Sequence, residues 1–126
     1  MGLFAGFKKK RSSENSPQKD LIIFIKNAGG CVITRSLFEG ESQLKWLFRE
    51  EGVHRDDNGW RAFGDTDDQA YIDQVENHIV VDFNTLANIE PAVLIVYDYP
   101  VGTELEYHHD ATGRYFIDSK SGKRIP

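Results

Sequence analysis

Two arginines lie close to carboxylates in the middle of the chain, in the segments LKWLFREE (residues 44–51) and DDNGWRAFGD (residues 56–65). A guanidinium binds a carboxylate through parallel hydrogen bonds, so such residues either hold a fold together or bind a charged partner. We expect Arg61 to pair with Asp65 or Glu50 and thereby to hold the loop 51–58 in shape. The full set of motif residues is Trp46, Arg49, Glu50, Trp60, Arg61 and Asp65.

The other residues that could do chemistry do not form a catalytic or metal-binding pattern. His108 and His109 are neighbours on a predicted strand and would point to opposite faces, so they are poorly placed to share one ion. Cys31 stands alone in an apolar segment, which is typical of a small buried hydrophobe. The acids of GDTDD lack the ligand spacing and the closing glutamate of a calcium hand. The sequence therefore predicts no catalysis, no metal and no cofactor.

Charge is distributed unevenly between the start of the chain and the rest. Residues 1–20 carry a net charge of +3, whereas residues 21–126 carry −8. An acidic body repels phosphate backbones and attracts basic partners, so we expect a protein partner and no nucleic-acid binding. The acids proposed to contact that partner lie in the loop before the second tryptophan and in the segment that follows it: Asp56, Asp57, Asp67 and Asp68.

Alternation of apolar and polar residues predicts the strands that position these groups. ESQLKWLFREE places Leu44, Trp46 and Phe48 on one side, and GWRAF places Trp60 and Ala62 on one side. We therefore predict that both tryptophans are core residues. The polar loop GVHRDDNG between the two segments is typical of an antiparallel hairpin with a long connection.

The remaining segments complete an α+β domain. CVIT and HIVVDF are predicted to form buried strands. GTELEYHH and GRYFI are predicted to form two more strands, joined by the turn DATG. Short helices are predicted at DTDDQAYIDQVEN and NTLANIEP, and another is predicted to begin at Ser16 and Pro17 and to end at Gly29 and Gly30. The predicted architecture is an antiparallel-rich sheet of about five to six strands, with two or three short helices packed on it in a single layer.

Length and composition define the domain and its compartment. A chain of 126 residues is predicted to form one α+β domain over residues 17–126, preceded by a flexible basic arm at residues 1–16. A single cysteine and the lack of a signal peptide or a long apolar run indicate the cytoplasm. The arm MGLFAGFKKKR has the pattern of a membrane-surface anchor, but its short length favours a loosely ordered terminus.

The blocks GGCVIT, WLFREE, DNGWRAFGDTD, VVDFNTLANIEPAV and YPVGTELE resemble those of a bacterial family of immunity proteins from polymorphic toxin systems. The resemblance covers residues 29–118. It implies a non-catalytic protein that stays in the cytoplasm of the producing cell and occludes a cognate toxin. The alternative is a housekeeping protein-interaction module, recruited to the membrane through its N-terminal arm.

Overall fold

In the computed structural model, which describes residues 21–126, six strands pair into one sheet. The strands are β1 Gly30–Thr34, β2 Leu44–Arg49, β3 Asp57–Gly64, β4 His78–Asp82, β5 Glu104–Asp110 and β6 Gly113–Asp118. Their order across the sheet is β4-β1-β3-β2-β5-β6. β1 and β3 run parallel, and the other four neighbouring pairs are antiparallel. The predicted antiparallel-rich sheet, including the hairpin of β2 and β3, is confirmed.

Short helices join these strands. They are α1 Arg35–Phe38, α2 Gln69–Ile72 and α3 Phe83–Ile89, together with 3₁₀ segments at Val75–Asn77 and Pro91–Val96. Asp82 caps α3 through its side chain, and Glu90 caps the second 3₁₀ segment, which begins with a proline. Within residues 21–126, every helix is too short to span a bilayer. The α+β class is confirmed.

The core lies between one face of the sheet and the helices α1 and α3. Cross-strand partners such as Cys31 and Val81, or Leu47 and Ala62, place their side chains on this face. The helical segments add apolar side chains that are almost fully buried: Leu37, Phe83, Leu86, Ala87, Val93 and Val96. The 3₁₀ segment Pro91–Val96 therefore packs into the same core as the helices, and the buried apolar surface stabilises the sheet from this side.

The core-facing side of β2 differs from the prediction. Trp46 is 38% exposed, whereas Leu44 and Leu47 are buried. The register of β2 against β3 shifts between Leu44 and Trp46. Such a bulge moves the residues before it to the other face, so the two leucines reach the core and the tryptophan does not. The prediction that Trp46 is a core residue is wrong, and the same prediction for Trp60 is confirmed.

The predicted helix from Ser16 to Gly29 is wrong over the described part of its length. Residues 21–29 form an irregular segment with a turn, not a helix. Asn84 of α3 accepts hydrogen bonds from the amides of Phe24 and Ile25 and donates to the carbonyl of Ile25. These side-chain partners replace the backbone bonds of a helix. The basic arm, residues 1–16, lies outside the described residues.

Candidate functional site

The centre of the motif is an ion pair between Arg61 and Asp57. Nη1 of Arg61 donates to Oδ1 of Asp57 at 2.9 Å, and Nη2 donates to Oδ2 at 2.8 Å. Both side chains are only 7% exposed. Nε of Arg61 donates to Oε2 of Glu50 at 2.7 Å, and Glu50 is half-exposed. The geometry is the two-pronged one in which guanidinium and carboxylate bind most strongly.

A bulge in β3 makes this pair possible. Residues four apart in a regular strand are separated by about 13 Å, too far for a direct ion pair. Here Gly30 of β1 is paired with Asp57 of β3, and Val32 is paired with Arg61. A span of two residues along β1 therefore matches a span of four residues along β3. Gly59, in the middle of the bulge, has a φ of 89°, and a Cβ at this position would collide with the carbonyl oxygen of Glu50. Glycine is therefore required there.

Asp57 also fixes the loop that precedes it. Its carboxylate accepts hydrogen bonds from the amides of Val53 and Gly59, each at 2.9 Å. Its own amide donates to the carbonyl of His54 at 3.0 Å. One residue earlier, the carbonyl of Asp56 accepts from the amide of Gly30 in β1 at 2.7 Å. The buried Arg61 therefore holds one carboxylate, and that carboxylate holds the backbone of the loop.

Arg49 and Trp60 anchor the other side of β3. They face each other across the hairpin, with the guanidinium 5.6 Å from the indole ring centre. Arg49 donates to the carbonyls of Asn58 and Tyr99, both at 2.8 Å. The indole nitrogen of Trp60 donates to the carbonyl of Tyr97 at 3.0 Å. Both motif residues therefore tie the hairpin to the segment after α3.

Two partners were proposed for Arg61, and the structure contains one of them. The pair with Glu50 is confirmed, whereas Asp65 is not a partner. Asp65 instead accepts the amide of Gln43 at 3.1 Å, beyond the far end of β3. The main partner is Asp57, which the sequence analysis places on the contact surface, because residues four apart in a regular strand are too far from each other to pair.

The four acids proposed as a contact surface lie in two separate places. Asp56 and Asp57 stand at the start of β3, and Asp67 and Asp68 follow its opposite end. Asp67 accepts the hydroxyl of Ser36 and the amide of Gly64, both at 2.6 Å. Asp68 caps α2 through the amide of Tyr71. Of the four acids, only Asp56 is exposed and has a carboxylate that makes no hydrogen bond with any of residues 21–126.

Besides Asp56, the exposed part of the loop carries residues that the sequence analysis did not propose as contacts. Every residue of the loop segment 51–56 is exposed, and Val53 is 81% exposed. The loop presents these side chains: Glu51, Val53, His54, Arg55 and Asp56. The side chains of this segment face solvent, while hydrogen bonds at Asp57 hold its backbone. The polar segment GVHRDDNG indicated a loop, but not that its backbone is fixed.

The hydrogen bonds at Asp57 predict a specific response to acid. Hydrogen bonding by Arg61, more than any other influence, lowers the pKa of Asp57 well below its ordinary value. A carboxylate with a lowered pKa stabilises the fold above its unfolded pKa of about 4, and this contribution is lost as the pH falls through the folded value. We expect the Tm of Asp57→Asn to fall less steeply than wild type below about pH 4.

The measurement is thermal melting by circular dichroism across the acid range. Asp56→Asn is the matched control, because it removes a neighbouring acid that is exposed, and it should follow the wild-type slope. Equal slopes for Asp57→Asn and wild type would contradict the linkage between this ion pair and acid stability.

A comparison with protein families identifies the family to which this chain belongs. The model of the Immunity protein Imm33 domain matches residues 31–116, more than half of the chain. The chain belongs to the Imm33 immunity-protein family. The Imm33 match runs from β1 into β6, so it spans all six strands and includes the Arg61 network. No curated protein and no solved structure matches the chain.

Three consecutive residues of this Imm33 domain have structural roles. Gly59, Trp60 and Arg61 fix the bulge, the core and the loop, respectively. The side chains that face solvent lie in the loop 51–56, beside that motif and not within it.

Proposed function

We propose that this Imm33 domain is a non-catalytic immunity protein that neutralises a cognate bacterial toxin by binding it in the cytoplasm of the producing cell. Family membership supports the role. The observation that carries the choice of surface is the partner-facing loop, residues 51–56, which is exposed at its side chains and fixed at its backbone by Asp57. A loop held in one conformation loses little entropy on binding, which favours affinity.

Charge supports a basic toxin domain as the partner. The net charge of −8 over residues 21–126 steers positively charged proteins towards this domain and increases the rate of association. The loop itself presents Val53 together with two acids, Glu51 and Asp56, and one cation, Arg55, so the attraction of a basic partner comes mainly from the acidic domain around it. The expected contact is a partner pocket that accepts the valine and has lysine or arginine at its rim.

A pair of composition-matched variants tests the proposal. The loop variant is Glu51→Ser, Val53→Ser and Asp56→Ser. The control is Asp73→Ser, Val75→Ser and Glu76→Ser, which removes the same residue types from another exposed segment, where Val75 is 82% exposed. Both should keep the wild-type Tm within a few degrees, because each removes exposed side chains.

The assay begins with capture from lysates of the source cells by tagged wild-type protein. The captured protein is then expressed alone and together with each variant, and cell survival is counted. We expect the captured domain to be toxic when expressed alone, and we expect wild type and control to restore survival. The loop variant should restore survival less well, because it should bind the captured domain at least about tenfold more weakly. A captured domain that is harmless would refute the immunity role. Equal rescue by the two variants would refute the loop.

A further inference from the structure

The sheet has two edge strands, β6 and β4, and the chain itself covers the edge of β6. There the C-terminal segment folds back on the strand. The amide of Asp118 donates to the carbonyl of Lys123 at 2.8 Å, and the amide of Ile125 donates to the carbonyl of Phe116 at 2.9 Å. At the opposite edge, β4 pairs with β1 alone among residues 21–126. A strand edge that is open in this way can pair with a further strand.

The direction of the backbone groups of β4 follows from the residue after it. The amide of Phe83 donates to the carbonyl of Gly29 at 2.9 Å, so this residue points its backbone towards the β1 side. Successive residues of an antiparallel strand alternate in whether they bond to the neighbouring strand. Val81 therefore also bonds to β1, whereas the even-numbered residues of β4 direct their amides and carbonyls to the open edge: His78, Val80 and Asp82.

Two of these backbone groups already have partners within the chain. The amide of His78 donates to the carbonyl of Val75. The carbonyl of Asp82, the residue that caps α3, accepts the first hydrogen bond of that helix. In the described part of the chain, four groups therefore stay open: the carbonyl of His78, the amide and the carbonyl of Val80, and the amide of Asp82.

The four open groups are complementary to those of a second copy of the chain. When two β4 strands run antiparallel with Val80 opposite Val80 of the second copy, the two valines exchange both of their backbone hydrogen bonds. The amide of Asp82 then donates to the carbonyl of His78 of the second copy, and symmetry repeats this bond. The bond that this register cannot form, from the amide of His78 to the carbonyl of Asp82, involves the two groups that are already used.

The side chains of β4 fit the same register. Val80 is 74% exposed, and in this arrangement it packs against the same residue of the second copy. Asp82 lies opposite His78 and not opposite a second Asp82, so two carboxylates do not meet. Lysine, proline or a bulge commonly protects the edge strands of monomeric proteins. β4 has the sequence HIVVD and a continuous register against β1, so it carries none of these three protections.

We propose that the protein forms a two-fold dimer through β4, in which the two six-stranded sheets join into one continuous sheet. The contact is made by two five-residue strands, so its area is small and we expect a Kd of about 10–100 µM. The dimer is independent of the proposed toxin binding, because the loop 51–56 joins β2 to β3 and is not part of β4.

Sedimentation velocity of the full chain tests the dimer, over concentrations from about 5 µM to about 500 µM that bracket the expected Kd. The mass should rise from that of the monomer towards that of the dimer. Raised salt should strengthen the association, because a net charge of −5 makes the two copies repel each other. A monomer at every concentration would overturn the proposal. Association that weakens as salt rises would also overturn it, because attraction between the basic residues 1–20 and the acidic body would then explain the dimer.

Charge placed on the edge strand separates this contact from other modes of association. Val80→Lys should stay monomeric at concentrations where wild type is dimeric, and its Tm should stay close to that of wild type because Val80 is exposed. Val101→Lys is the matched control, since Val101 is 48% exposed and lies in the turn before β5. It should dimerise as wild type does. Equal dimerisation of Val80→Lys and wild type, or equal weakening by the two lysine variants, would show that β4 is not the interface.

Val80→Pro tests the backbone hydrogen bonds. Proline removes the amide that faces the open edge, and such a position of an edge strand tolerates proline. The dimer should weaken at least about tenfold, because two symmetric hydrogen bonds are lost. Dimerisation equal to that of wild type would contradict the predicted pairing of the strands.

Val80→Cys reports the register directly. Facing Cα atoms of a hydrogen-bonded antiparallel pair are about 5.5 Å apart, within the range that a disulfide spans. Mild oxidation should therefore link two copies of Val80→Cys much faster than two copies of Val101→Cys. The native Cys31 is buried and does not compete. A dimer in solution that is not linked through position 80 would place the interface elsewhere and refute the β4 contact.

Discussion

Replacement of Arg61 by methionine is expected to lower the free energy of unfolding by about 3–5 kcal/mol. The variant leaves the carboxylate of Asp57 buried without its cation, because both side chains are only 7% exposed in the folded protein. Glu50, the second partner of Arg61, is half-exposed and can regain water, so it adds little to the loss. The effect should appear in urea-induced unfolding at neutral pH as a lower midpoint with an unchanged slope.

Arg35→Met is the matched control for this prediction. Arg35 forms an i,i+4 pair with Glu39 at 3.7 Å, and both side chains are more than 40% exposed. Its loss should cost less than about 1 kcal/mol. Equal losses for the two arginine variants would show that the Arg61 pair contributes no more than a surface pair. Arg61→Lys should fall between wild type and methionine, since lysine keeps the charge without the fork of donors.

The two tryptophans should lose very different amounts of stability on replacement by alanine. Trp60 is fully buried and donates its indole N–H to the carbonyl of Tyr97, so Trp60→Ala is expected to cost about 3–5 kcal/mol. Trp46 is 38% exposed on the other face of the sheet, and Trp46→Ala should cost less than about 1 kcal/mol. Urea-induced unfolding followed by circular dichroism measures both without relying on tryptophan fluorescence.

Trp60→Phe separates the volume of the side chain from its hydrogen bond. Phenylalanine fills most of the space but leaves the carbonyl of Tyr97 without its indole donor, so an intermediate loss is expected. A loss for Trp46→Ala as large as that for Trp60→Ala would contradict the assignment of the core to the face that contains Trp60.

The elements of this fold that depend on local patterns could be read from the sequence. The alternation around Trp60 predicted its burial, and the polar loop between β2 and β3 predicted the hairpin. The departures from regular secondary structure could not be predicted from local sequence patterns. The bulge near Leu44 and the pairing of residues 24–25 with Asn84 depend on contacts with other elements.

The candidate site was predicted in part, for the same reason. The expected contact of Arg61 with Glu50 is present, and the loop that they were expected to hold is fixed. The bulge at Gly59 brings Asp57 to Arg61, and no periodic pattern in the sequence encodes that approach. An acid that the sequence places on the surface therefore becomes the buried centre of the site.

The way in which Asp57 holds the loop leaves the loop side chains free to evolve. Asp57 binds the amide of residue 53, not its side chain, so substitutions there preserve the anchor. Position 52 is the exception, because a Cβ on Gly52 would collide with the carbonyl oxygen of Asp57. Residues 51 and 53–56 can therefore change their side chains, and with them the chemistry that the loop presents, while the anchored backbone and its stability are kept.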